Sequence, residues 1–519
     1  MPLFNIGDYA MAGLNSDLIP SDVERNFLTH GKNIRAVSGG ISPFGGYAKL
    51  FDLPANKDPH SLFYIDSCTG KFWVIMCNNA IYRLGDAIID VTPDAMPSVV
   101  EMTRWSATDL SGIPIVNHPS MGPVYMTKSM SKFQPLPFKA GQTWHQSGQV
   151  CNIMISHKQF LFALGISDNG NYIPDSIRWS SVADIGGIPQ TWDALDTTNV
   201  AGYTQLGGTG GEIIGALPMR DALVVYRSSG ISVIDYIGGQ YIWRIRHLSS
   251  SIGLLSKDSV VDVRGTHYLL SDGDVYRTDG NSISSIATKR IKKRLRSIDK
   301  SNYSKSYAVH NPSNSEVLFV IPGNGSSYPN ISYIYNYEYN SWYVRDMPSN
   351  VKTKCGASIS KPSNWDAIES NWDGYLDSWG NDSTTLFNNT LVSLMPSIDG
   401  ATAKVITISG VIGSNIEPFD SIIERTDLVL NTLDQATTIQ RIYPHIQSAN
   451  SVFIQVGSQQ SPGGPVSWKP AVEFNPNTQR NVDMRTTGIL HAYRIIANDV
   501  KTDFTISGID IIYVEAGKR

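Results

Sequence analysis

The sequence predicts an all-β protein: a β-propeller with a C-terminal β-sandwich (platform) domain and one short basic helix. Three observations carry this. Short apolar strands closed by Gly, Asp or Asn turns run through the middle of the chain with almost no helical period. Sets of such strands begin at intervals of roughly 45–60 residues, near the length of a propeller blade. The last section packs about seven strands into roughly 115 residues, the strand density of a sandwich. Stacked sandwiches remain the alternative for the middle section, because no Trp-Asp or Kelch repeat marks the blades. A ring of blades is preferred because it protects most strand edges.

Taken in order, residues 1–50 are expected to join the platform, 51–390 to form the propeller and 391–519 the sandwich. Residues 72–77 and 81–84 read as a hairpin turning at Asn78-Asn79. Residues 160–164 lead through a polar loop into 176–180. Residues 223–226 and 231–235 pair across Ser228-Ser229-Gly230, and 268–270 and 275–277 across Asp272-Gly273-Asp274, followed by 282–286. Residues 317–321, 333–337 and 342–344 form another set. In the last section strands are expected at 403–409, 428–431, 438–443, 451–456, 482–485, 491–496 and 504–514. The apolar phase of the last one switches at Gly508, which predicts a bulge there. The Asn/Ser/Thr-rich stretch 381–396 is the expected boundary between the two domains.

Residues 287–300 (ATKRIKKRLRSIDK) break the β pattern. Ile291, Leu295 and Ile298 recur at helical spacing, surrounded by Lys289, Arg290, Lys292, Lys293, Arg294 and Arg296. The spacing predicts a short amphipathic helix with a basic outer face. Such a face suits an acidic partner surface or DNA phosphates. A solvated face whose side-chain stems cover apolar neighbours is the plainer account. No aromatic residues interleave with the charges, which argues against base stacking.

Other constellations yield no catalytic, metal or cofactor site. Gly207-Gly208-Thr209-Gly210-Gly211 lacks the Lys-Ser/Thr end of a phosphate loop and reads as a flexible hairpin or a blade connection. Trp365-Asp366, Glu369, Trp372-Asp373, Asp377 and Trp379 pair carboxylates with aromatic rings, as glycosidases do, but such residues are also ordinary in blades. Ser271-Asp272-Gly273-Asp274 lacks the further oxygens of a calcium loop. The ten His show no metal spacing, and no Gly-x-Ser-x-Gly nucleophile motif occurs.

Composition bounds the class. Hydrophobic residues make up 41% and charged residues 17%, so the chain can form cores. A net charge of −4 does not by itself argue for a nucleic-acid surface. Cys68 and Cys77 lie close enough to pair across a hairpin, but buried free thiols are the expected state of all four cysteines. No stretch approaches the ~20 apolar residues of a membrane span, and the N-terminus lacks the pattern of a signal peptide. Synthesis and folding in a cytoplasm are expected.

Several short patterns resemble one family. They are Arg178-Trp179-Ser180 with Thr191-Trp192, Gly215-Ala216-Leu217 with the run 220–226 (RDALVVY), Gly253-Leu254-Leu255-Ser256, and the run 275–280 (VYRTDG). Near the C-terminus they are Val472-Glu473-Phe474, Arg485, Gly488, the run 491–495 (HAYRI), Gly508-Ile509-Asp510 and Gly517-Lys518-Arg519. Together, over about two-thirds of the chain, they resemble the tail-nozzle (tail hub, or packaged-DNA stabilisation) proteins of short-tailed double-stranded DNA bacteriophages; residues 100–150 match poorly.

The resemblance implies a structural virion protein of the tail, made in the host bacterial cytoplasm, without catalytic group or cofactor. It implies a homohexameric ring below the portal and the tail adaptor (head-to-tail connector) protein. That ring retains the genome, guides its ejection without reading DNA sequence, and carries a tail fibre, tailspike or needle protein. Six copies at −4 each carry −24, a tube whose overall charge lets DNA slide. The expected role of Lys289, Arg290, Lys292, Lys293, Arg294 and Arg296 is contact with such a partner. The alternative is a propeller-type receptor-binding or polysaccharide-binding or degrading tail protein using the Trp365–Trp379 cluster.

Overall fold

The computed structural model of the chain describes residues 2–347 except 68, 69, 86, 101, 240 and 241, and then 356–359, 390–395, 402–411, 420–448, 450–497 and 504–518. The Trp365–Trp379 cluster, Cys68 and Cys355 lie outside the described residues.

Among the described residues seven antiparallel sheets have four strands each. Six are built from consecutive strands: blade 1 (59–90), blade 2 (106–135), blade 3 (149–205), blade 4 (213–249), blade 5 (260–285) and blade 6 (307–346). The first strand of each packs beside the first strand of the next, and that of blade 7 returns to blade 1. The sheets therefore form a closed propeller. An apolar cluster fills the seam between blades 1 and 2, with Val74, Ile81, Trp105 and Val116, and others fill the seams that follow. Because the blades are covered on both faces, second strands carry continuous apolar runs, as at 160–164 and 317–321.

Blade 7 closes the ring. Three strands come late in the chain, Gly356–Ile359, Thr390–Met395 and Lys404–Val411, and the fourth is Gly46–Asp52 from near the N-terminus. Val405 pairs with Phe51 and Ile406 with Lys49.

The platform is a sandwich of two six-stranded sheets that draws on both ends of the chain. In one sheet, Phe504–Lys518 pairs with Gln435–Ser448 on one side and with Leu3–Ile6 and Gly40–Pro43 on the other. In the other, Ser421–Leu428 lies between His30–Lys32 and Leu490–Ala497. The bulge expected at Gly508 is present: His445 faces Gly508 while Ile446 faces Ile506. A Cβ at Gly508 would fall 2.2 Å from the Ile6 carbonyl oxygen, so this position must be glycine where the N-terminal strand crosses.

Three sequence expectations need correction. The divisions at 50/51 and 390/391 do not follow the sheets: Gly46–Asp52, Thr390–Met395 and Lys404–Val411 all belong to the propeller. Period-two alternation identifies a strand at 403–409 but does not say which sheet it enters. The strand expected at 428–431 instead runs Ser421–Leu428. The basic helix is a single turn, Lys292–Leu295, because Lys289 takes a left-handed φ of 60° and Ile298 is bridged to Gly323.

Propeller and platform share one apolar core, in which Ile34, Ile41 and Tyr493 join Tyr343, Ile408 and Ile291. A polar seam runs beside it. Arg35 of the platform meets Glu316 of blade 6 in a fork, Nε–Oε1 3.2 Å and Nη2–Oε2 2.9 Å, and Asn311 donates to Glu316 Oε2. The Phe44 ring lies between the guanidinium groups of Arg35 and Arg345, at 4.2 and 4.5 Å. Arg345 also donates to Ile408 O and Gly45 O, gripping the chain where it crosses into the ring and where it leaves.

Two stability predictions follow from these contacts. Glu316 is fully buried, so Glu316→Ala strands the Arg35 charge and should lower unfolding free energy by about 3–5 kcal/mol in urea titrations. Arg35→Met with Glu316→Leu should recover most of that loss. Burial pushes His267 and His491 down to about 4. His267 accepts from the Tyr226 hydroxyl across the blade 4–5 seam, while its other ring nitrogen is 3.0 Å from Pro218 O. The unfolded chain binds these protons near the ordinary histidine value of 6.5, so it holds more protons than the folded chain between pH 6.5 and 4. Stability should therefore be fully present above that window and fall by about 3 kcal/mol per histidine as pH drops through it. Thermal melts across this range check the prediction, and His267→Gln should flatten the slope.

Candidate functional site

The basic segment leaves blade 5 and runs along the seam between propeller and platform before blade 6 begins. Its local fold is set from a distance by two carboxylates. Asp17 accepts the backbone N–H of Lys293 on Oδ1 (2.8 Å) and of Lys292 on Oδ2 (2.9 Å), capping the single helical turn. Asp274, at the blade 5 hairpin, takes the Lys292 ammonium at 2.5 Å and the Ser285 hydroxyl at 2.9 Å. The turn Ser271-Asp272-Gly273-Asp274 is thus a hairpin whose second acid holds a lysine.

The six predicted contact residues divide into two sets. Arg290 donates to Ala12 O at 3.2 Å and lies over the Phe27 ring at 4.3 Å. Lys292 is held by Asp274, and Arg294 is half-buried, burial lowering its pKa while Tyr333 and Asp17 oppose the shift. Arg290 thus fastens this segment to the platform, and Lys292 fastens it to blade 5. Lys289, Lys293 and Arg296 are exposed. Ile291 and Leu295 are buried in the shared core, as their spacing predicted. Sequence reasoning missed Asp17, 275 positions from Lys292, and Asp274, 18 positions away across the end of blade 5, because nothing local ties either acid to this turn.

Two further surfaces stand out. Between Trp179 and Gly202, blade 3 carries a long excursion pinned by the buried Trp192, edge-on to Trp144 at 4.8 Å. Its tips Ile185 and Leu195 are 88% and 90% exposed, and Asp184 and Asp196 are exposed beside them. The second surface is a hollow of about 550 Å³ on the propeller axis. Its lining comes mainly from the segments that open blades 2 to 6, with Arg104, Asn152, Glu212, Lys257 and Tyr303, joined by Tyr172 from the third strand of blade 3. Lys257, ahead of blade 5, reaches the carbonyls of Thr103 and Trp105 ahead of blade 2 and so crosses the axis. The Gly207–Gly211 run joins blades 3 and 4 and wraps Arg227, whose Nη1 and Nε donate to Gly207 O and Gly211 O.

Among the described residues no group of three His, Cys, Asp or Glu side chains could hold a metal ion, and no helix is long and apolar enough to cross a membrane. Cys77 and Cys151 are buried free thiols, burial pushing Cys77 up to about 12.

No protein-family model and no curated protein matches the sequence. Solved structures similar to this chain include two forms of an extracellular domain from B. thetaiotaomicron. One is described as part of a hybrid two-component system, at 11% identity, TM-score 0.34, covering 63% of this chain and 39% of that one. The other is described as part of a one-component system, at 10% identity, TM-score 0.40, covering 89% and 59%. The chain therefore spans less than two-thirds of either. The Myceliophteria thermophila Cps50 (Swd1) β-propeller domain aligns at 8% identity and TM-score 0.39, over 68% of this chain and 98% of that domain.

The split of the basic set predicts contrasting variants. Lys292→Ala leaves the 3%-exposed Asp274 carboxylate without its cation and should cost about 1–3 kcal/mol. Lys293→Ala should stay within about 0.5 kcal/mol of the parent. Chemical denaturation of the two purified variants checks both.

Proposed function

We propose that this chain is a structural protein of the tail nozzle of a short-tailed double-stranded DNA bacteriophage. Six copies form a ring below the portal and adaptor, retaining the packaged genome and guiding its ejection. The observation that carries the reading is the joining of one closed propeller to one platform built from both chain ends, locked by Arg35–Glu316 and the shared core. Such a unit suits a load-bearing ring subunit, which repeats one heterologous contact until it closes. The residues that carry the resemblance also lie at structural joints. Trp192 pins the blade 3 excursion, Tyr493 meets Tyr9 hydroxyl to hydroxyl at 2.7 Å, and a Cβ at Gly253 would fall 2.0 Å from Ser228 O.

Lys257 crosses the propeller axis, so DNA would travel along a lumen between copies and not through a single propeller. Lys289, Lys293 and Arg296 would then meet an acidic surface of a neighbouring copy, the adaptor, or a fibre, tailspike or needle protein. The chain would reside in the virion tail after synthesis in the host cytoplasm.

Immunogold labelling of particles with an antibody to this chain should place label on the axis below the head. Label at the tail periphery, or none, would overturn the reading. Charge reversal at Lys293 and Arg296 should leave the isolated chain folded and reduce its incorporation into particles at least about tenfold, the loss of about 1.4 kcal/mol of contact. Normal incorporation would remove the basic patch from the assembly surface.

A further inference from the structure

We propose that the hollow on the propeller axis is a saccharide-binding site that takes an uncharged hexopyranose unit of an oligosaccharide. The proposal does not rest on the nozzle reading.

Position is the first argument. Five of the seven blades send the segments opening their first strands to this one hollow, so its wall is as rigid as the ring itself. Its volume of about 550 Å³ is within the range of small-molecule sites and suits a sugar unit with part of its neighbour.

The lining is the second argument. Tyr172 and Tyr303 are 42% and 45% exposed, whereas the ring's Trp73, Trp105, Trp144, Trp192 and Trp342 are buried. Two half-exposed phenol rings inside a concavity offer an apolar face with a polar tip, the complement of a sugar ring's C–H face and hydroxyl rim. Asn152 Nδ2 donates to the Tyr172 hydroxyl at 2.8 Å, which holds that ring in place before any ligand arrives. The Glu212 carboxylate raises the Tyr172 pKa and the Arg104 guanidinium lowers it, burial being the larger cause, so both charges sit near the same phenol. A planar acceptor, a planar donor and an amide around one aromatic ring can share the adjacent hydroxyls of a pyranose.

Charge decides between ligand classes. A phosphate or nucleotide site concentrates positive charge. Here Lys257 donates to the backbone carbonyls of Thr103 and Trp105, and Glu212 offsets Arg104. The wall thus keeps one net positive charge, on an ammonium already turned onto backbone carbonyls, and is otherwise hydroxyl, amide and ring surface, which suits a neutral polyol better than an anion.

The test uses the purified full chain and four probes: linear trisaccharides of glucose, galactose, mannose and N-acetylglucosamine, with inorganic phosphate as the anionic control. Saturation-transfer NMR and calorimetry should find saturable binding of at least one sugar and none of phosphate. Tyr172→Ala and Tyr303→Ala should each weaken binding at least about tenfold, the loss of about 1.4 kcal/mol. Glu212→Gln, which keeps the shape, should also weaken it. Thermal melts of Tyr303→Ala, whose ring is half-exposed, should match the parent, separating loss of contact from loss of fold. Saturable phosphate binding, no saturable binding of any of the four sugars, or sugar binding indifferent to both tyrosine substitutions would each overturn the proposal.

Discussion

The constraint on which the rest depends is the closure of the ring by a strand from the wrong end of the chain. Gly46–Asp52 must reach across to Lys404–Val411 before blade 7 has four strands, so the propeller cannot close until most of it has been made. Loop-closure entropy then favours a late, cooperative zipping step. The same pairing forces both crossings between platform and propeller to lie side by side. That is why Arg345 can donate to Gly45 O on the inward crossing and to Ile408 O on the outward one.

From that geometry the polar seam follows. Two crossings and a shared apolar core leave backbone groups and charges with little access to water, and these must find partners in the protein. Asn33, fully buried and left-handed, shows how densely this is done. Its side chain donates to Asp420 O and accepts the Asp346 N–H, while its own carbonyl accepts the Ser421 hydroxyl. Arg35, Glu316 and Asn311 do the same at blade 6. The basic segment is part of this seam: half of its charge is turned inward, with Arg290 on the platform and Lys292 on blade 5, and only the remainder is presented to a partner.

The candidate sites were unequally legible in the sequence. The period of Ile291, Leu295 and Ile298 announced a buried stripe under a basic face, and Ile291 and Leu295 are buried. It could not announce that Asp17 and Asp274 would claim part of the segment, because such pairings depend on which distant loops the ring brings together. The axial hollow left no local trace at all. Five blades contribute two to five residues each, from segments tens of positions apart, and each residue is unremarkable in its own segment.

What the sequence by itself determined is local: strands by alternation or apolar runs, turns by Gly, Asp and Asn chemistry, the bulge at Gly508 by a phase change, and the all-β class by the sum of these. Backbone sterics and side-chain periodicity act over a few residues, so a few residues suffice to read them. Tertiary structure decided which sheet each strand joins, where the domains divide, which cations are fastenings and which are free to meet a partner, and where an axial hollow forms. Those outcomes are set by contacts between positions hundreds of residues apart, as Gly46–Asp52 with Lys404–Val411 and Arg35 with Glu316 illustrate, and they exist only once the ring has closed.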